Sequence, residues 1–131
     1  MSLTTDLQRI AQRNKAKMVK VAQNSLMRIG GAIVLRSPVD TGRFRANWLS
    51  AYGLPDTGSA ETFDKSGSAA IGKLKSSLAV LDTGQFFYFT NSLPYAERLE
   101  YGWSQQAPGG MVRVSVASWQ SIVEDEIRKA K

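Results

Sequence analysis

Two residue types are missing altogether: the 131-residue chain contains neither cysteine nor histidine. Without cysteine there is no disulfide and no thiol nucleophile. Without histidine there is no imidazole base. Serine–histidine and cysteine–histidine triads are therefore excluded, as are zinc sites built on these residues. No apolar run approaches the roughly 20 residues that cross a bilayer as a helix. The start, Met1 to Leu7, is polar and leads into a charged segment, so the expectation is a protein made in the cytoplasm without a secretory signal.

Acidic residues are scarce in one part of the chain. Within residues 1–50, Arg9, Arg13, Lys15, Lys17, Lys20, Arg28, Arg36, Arg43 and Arg45 face only Asp6 and Asp40, while the remainder is close to neutral. The net charge of +6 thus comes from the N-terminal part. Such a segment suits nucleic acid or an acidic protein surface. Apolar residues make up 43 % of the chain and aromatics 9 %, enough for one modest core.

Residues 5–35 carry Leu7, Ile10, Asn14, Met18, Val21, Ser25, Leu26, Ile29 and Ile33 at three- and four-residue steps. This pattern predicts a long amphipathic helix. Gly30-Gly31 predicts a bend or break near its end, and Ser37-Pro38 closes it. From Arg43 to Tyr52 the pattern alternates, with Phe44, Ala46, Trp48, Ser50 and Tyr52 on one face and Arg43 and Arg45 on the other. That predicts a strand. Residues 53–68 read as a long flexible loop. A short helix is expected over 69–81, and a second strand over 85–91, either central or facing another subunit. Pro94 opens a short helix over Tyr95, Ala96 and Leu99. A long helix is expected from Met111 to Lys131.

The expected fold is a single α+β domain spanning 1–131. A small mixed or antiparallel sheet packs against a long N-terminal helix and a C-terminal helix. Two strands are few for a stable sheet, so a third is expected from a loop or from a neighbouring chain.

Few patterns suggest chemistry. Asp-Thr-Gly occurs at Asp40, Asp56 and Asp82, the triplet that carries the catalytic aspartates of aspartic proteases. The residues after it and the absence of a many-stranded pattern favour ordinary turns. Glu97 and Glu100 share one side of a short helix without a nucleophile beside them, which favours an ion pair. Gly30-Gly31 lacks the Lys-Ser or Lys-Thr of a phosphate loop. No catalytic, metal or cofactor residue is expected. Arg9, Arg13, Lys17 and Lys20 fall on one helical side and, with Arg43 and Arg45, are the candidates for facing DNA or a partner. Trp48, Phe87, Phe89, Tyr95, Leu99 and Trp103 are the candidates for packing or subunit contact.

Three blocks occur in order: Ser37-Pro38-Val39-Asp40-Thr41-Gly42-Arg43-Phe44-Arg45-Ala46-Asn47-Trp48, then Thr90-Asn91-Ser92-Leu93-Pro94-Tyr95-Ala96-Glu97-Arg98-Leu99-Glu100-Tyr101-Gly102-Trp103-Ser104, then Gln105-Gln106-Ala107-Pro108-Gly109-Gly110-Met111-Val112. Together they resemble the neck and tail-completion proteins of long-tailed bacteriophages. The resemblance implies an α+β structural protein of the virion's head–tail junction, assembled in the host cytoplasm. It implies a closed ring, commonly of six subunits, through which DNA passes. The implied partners are other neck, connector or terminator proteins and, non-specifically, genomic DNA; no membrane and no catalytic residue is implied. A tail-tube terminator is the neighbouring role, and a small basic DNA-binding protein is the alternative of another class.

Overall fold

The computed structural model describes residues 2–131. Ser2 opens the first helix, α1 (Leu3–Arg36), by accepting the Thr5 N–H at 3.1 Å, and Asp6 adds negative charge to its first turn. At 1.5 Å per residue, α1 is about 50 Å long. It runs unbroken through Gly30-Gly31, so the expected break does not occur. Gly30 is buried, and a Cβ there would collide with the Leu74 side chain, whereas one at Gly31 would meet nothing within 4 Å. The first glycine permits close helix packing and leaves the helix intact.

The end of α1 is tied by side chains. Ser37 donates its N–H to Val34 O and its hydroxyl to Ile33 O at 2.7 Å. Trp48 Nε1 donates to the Ser37 hydroxyl at 2.8 Å. The Arg45 guanidinium donates to the carbonyls of Leu35, Ser37 and Lys65 at 2.8, 3.0 and 2.9 Å. These contacts satisfy carbonyls that a helix end leaves without intrahelical partners.

The expected strand from Arg43 to Tyr52 is instead a helical turn, α2 (Arg43–Ala46), followed by a strand, β1 (Leu49–Tyr52). Gly42 starts α2 at φ 91°, against the Asp64–Lys65 backbone. Phe44, Ala46 and Trp48 are all buried, so one helical turn and a bend at Asn47 meet the same alternating pattern. Asn47 locks the bend, donating to Arg43 O and Ala60 O and accepting the Ala60 N–H.

After loop residues 53–67, α3 (Ser68–Leu78) packs against α1 and β1. Asp64 prepares its start by accepting the N–H groups of Gly67 and Ala70. The second strand, β2 (Phe87–Thr90), pairs antiparallel with β1, Tyr52 opposite Phe87 and Leu49 opposite Thr90. Among the described residues the sheet holds these two strands, so no loop supplies the expected third. Then come α4 (Ala96–Glu100), α5 (Val112–Val116) and α6 (Trp119–Lys129). The expected single helix from Met111 is interrupted at residues 117–118 and becomes α5 and α6.

The result is a small α+β fold. Its two-stranded antiparallel sheet packs against the long N-terminal helix and the shorter C-terminal helices through one core. Ile29, Ile33 and Val34 of α1 meet Phe44, Trp48, Ala70, Leu93 and Met111 there. Phe89 stacks on Trp48 with centroids 5.1 Å apart, and Phe44 sits edge-on to Trp48 at 5.8 Å.

The two glycines of α1 should respond oppositely to substitution. Gly31→Ala is expected to stabilise by about 0.5–1 kcal/mol through helix propensity. Gly30→Ala is expected to destabilise by about 1–3 kcal/mol, because overpacking against Leu74 outweighs that gain. Urea denaturation midpoints of the two variants check this, and shifts of the same sign would refute it.

Candidate assembly surface

The two ends of α1 differ in cover. Towards its C-terminal end Ile29, Ile33 and Val34 enter the core. Before residue 19 almost every residue is exposed, and Leu3, Leu7, Ile10 and Met18 stand 74, 58, 52 and 64 % accessible. These residues share one helical face, so the N-terminal half of α1 is an arm with an uncovered apolar stripe. Lys15 makes one contact from this arm to the body, an exposed ion pair with Asp82 at 3.3 Å.

Where the arm joins the body, α1 and α6 form an open apolar groove of about 510 Å³. Met18, Val21, Ala22 and Leu26 line one side, and Trp119, Val123 and Ile127 the other. Val123 and Ile127 follow Trp119 at four-residue steps, which keeps all three on one face of α6. Ser25 is buried in the wall, and its hydroxyl is the buried side-chain polar atom without a hydrogen-bond partner among the described residues.

Charge fixes α6 beside α1. Arg28 bonds Asp125 at 2.7 Å and the buried Glu126 at 2.8 Å. Arg28, then Lys129 and Arg128, hold the Asp125 carboxyl down at about 2. Glu126 is likewise lowered, chiefly by Arg28. Asp125 and Glu126 thus meet a basic partner on a neighbouring helix.

The basic candidates separate into two groups. Arg9, Arg13, Lys17 and Lys20 lie exposed along α1, beside the apolar stripe. Arg43 and Arg45 lie in α2 at the far end of that helix. Arg45 spends its donors on three backbone carbonyls, and Arg43 Nε reaches Ala60 O at 3.4 Å. Both arginines thus bond backbone carbonyls at that end of the fold and lie apart from the α1 group.

The aromatic candidates also divide. Trp48 is buried, and Phe89, Tyr95 and Leu99 pack on the core. Phe87 is half-buried and meets the Tyr52 ring edge-on at 5.4 Å. Trp103 is 72 % exposed beneath the Arg98 guanidinium, 5.1 Å from the ring centre.

The second and third sequence blocks meet at Glu100. Its Oε1 accepts the N–H groups of Met111 and Val112 at 3.0 and 2.8 Å, and Oε2 accepts the N–H and Nε of Arg113. The carboxylate thereby supplies the acceptors that the start of α5 requires. Gly102 (φ 86°) lies against Pro108 O, and Gly110 (φ 86°) against Glu100, where side chains would collide. Burial raises the Glu100 pKa, but the N–H donors of Val112, Arg113 and Met111 outweigh it and the net shift is downward. The Asp-Thr-Gly triplets lie in separate connecting segments; Asp56 accepts the Gly58 N–H and Asp82 the Thr83 N–H. Among the described residues no acidic cluster is arranged to hold a metal ion, and no helix is long and apolar enough to cross a membrane.

The groove, arm and unpartnered Ser25 hydroxyl are what a reading of the sequence alone missed. The apolar spacing of Trp119, Val123 and Ile127 was the available signal, and only the position of α6 shows which side it leaves open.

Because the folded pKa of Glu100 is depressed, its stabilisation is full above the ordinary carboxylate range and is lost as pH falls through its folded value. Glu100→Gln is expected to cost about 1–3 kcal/mol at pH 7. The variant and the parent should converge in acid, as measured by urea unfolding from pH 7 to pH 2. A gap that stays constant over that range would refute the assignment. Comparison with protein-family models, curated proteins and solved structures gives no match to this chain.

Proposed function

We propose that this chain is a non-enzymatic structural subunit of a phage virion, completing the tail at the head–tail junction as a closed ring. The observation that carries this reading is the uncovered apolar arm and groove on so small a domain. Contiguous exposed apolar surface of this kind marks a protein–protein contact. The three sequence blocks that resemble tail-completion proteins support the same reading. Their residues build helix ends and turns, as expected of a scaffold: Ser37, Arg45 and Trp48 close α1, and Glu100 opens α5.

Exposed Arg13, Lys17 and Lys20 add a sequence-independent attraction for DNA or for an acidic neighbour. A tail-tube terminator is the neighbouring role for the same surface. A free-standing basic DNA-binding protein is the second reading, favoured by that basic row alone.

Added to tail tubes that lack it, the chain is expected to bind one tube end as a closed ring of about six copies, visible by electron microscopy. Replacing Arg13, Lys17 and Lys20 with glutamine should alter DNA retention or particle assembly without creating or removing a sequence preference. Failure to bind any tube end, or strong preference for one DNA sequence, would overturn the proposal.

A further inference from the structure

One face of α1 carries Leu3, Leu7, Ile10, Asn14, Met18, Val21 and Ser25. The steps between them are four, three, four, and again four, three, four. The face therefore consists of two 11-residue repeats meeting at Asn14. An 11-residue repeat, at about 3.67 residues per turn, winds the face gently to the right along α1. The spacing also reads the same in both directions from Asn14. The first half is the uncovered stripe, and the second half borders the groove beside α6. Each chain thus holds a stripe and a groove with matching spacing on one helix.

We infer that the free chain pairs with a second copy of itself through antiparallel α1 helices, about a two-fold axis at Asn14. The stripe of each copy fills the groove of the other. The pairing sets Leu7 against Val21, Ile10 against Met18, and Leu3 over Ser25, and repeats these contacts at the opposite end. Such a contact is isologous and closes on itself. Asn14 meets its own copy at the centre, where a polar pair in an apolar seam specifies register. The arm is basic apart from Asp6, and the α6 it reaches keeps Glu124 exposed, its Asp125 and Glu126 being held by Arg28 within the chain.

The inference does not rest on a role in a phage tail, and its test separates the two. Light scattering of the free chain is expected to give twice the 14.4 kDa mass. Ile10→Glu should give a monomer with an unchanged far-ultraviolet circular dichroism spectrum, because Ile10 is exposed within one chain. The chain has no cysteine, so introduced thiols report cleanly. A mixture of Leu7→Cys and Val21→Cys chains should cross-link on oxidation. Leu7→Cys alone should not, since the two copies of residue 7 lie about 21 Å apart along the axis. A monomeric parent, or cross-linking by Leu7→Cys alone, would overturn the pairing. A six-fold mass indifferent to Ile10→Glu would overturn it too, while leaving the ring reading intact.

Discussion

The carbonyl end of α1 is the constraint on which the rest of the body depends. A helix of this length ends with carbonyls that point away from its own amides. Ser37 turns back to take one, Trp48 takes the Ser37 hydroxyl in turn, and Arg45 gathers two carbonyls from this end and a third from Lys65. These bonds place α2 beside the helix it follows and direct the Trp48 ring into the core. Phe89 stacks on that ring, so the sheet takes its position from the same helix end. A polar problem at one terminus thereby organises the apolar packing around it.

The long helix and α3 were legible because periodicity extends over enough residues to decide between a step of two and a step of 3.6, and the second strand because its aromatic run has high strand propensity. Residues 43–48 were misread because that stretch is too short for the same test. Phe44, Ala46 and Trp48 are buried at alternate positions, which a strand or one turn plus a bend accommodates equally well. The break expected at Gly30-Gly31 was misread because propensity is a local quantity, whereas the reason for Gly30 is Leu74, distant in the chain. Glu100 illustrates the same limit. Its partners are the N–H groups of residues 111–113, and an acidic side chain in a sequence does not reveal which backbone it will cap.

The assembly surface was legible only in part. The stripe on α1 is continuous from Leu7 to Ile33 in the sequence, and nothing in its spacing tells covered from uncovered. Cover is decided by α3 and α6, whose own contacts are set by Leu74 and by the Arg28 ion pairs. The basic row could be read directly, since Arg13, Lys17 and Lys20 are exposed in the fold as the helical projection requires. Arg43 and Arg45 lie apart from that row, in the helical turn that replaces the start of the expected strand.

The unbroken course of α1 has a mechanical consequence. From Leu3 to Lys20 the arm extends about 26 Å at 1.5 Å per residue. It contains no proline or glycine to act as a joint. Rotation at its root is therefore transmitted to the tip, and a tilt of 10° would sweep Leu3 through roughly 4 Å at the standard helical rise. A change in how α6 seats on α1 is in this way converted into displacement far from the core, with the helix acting as a rigid lever.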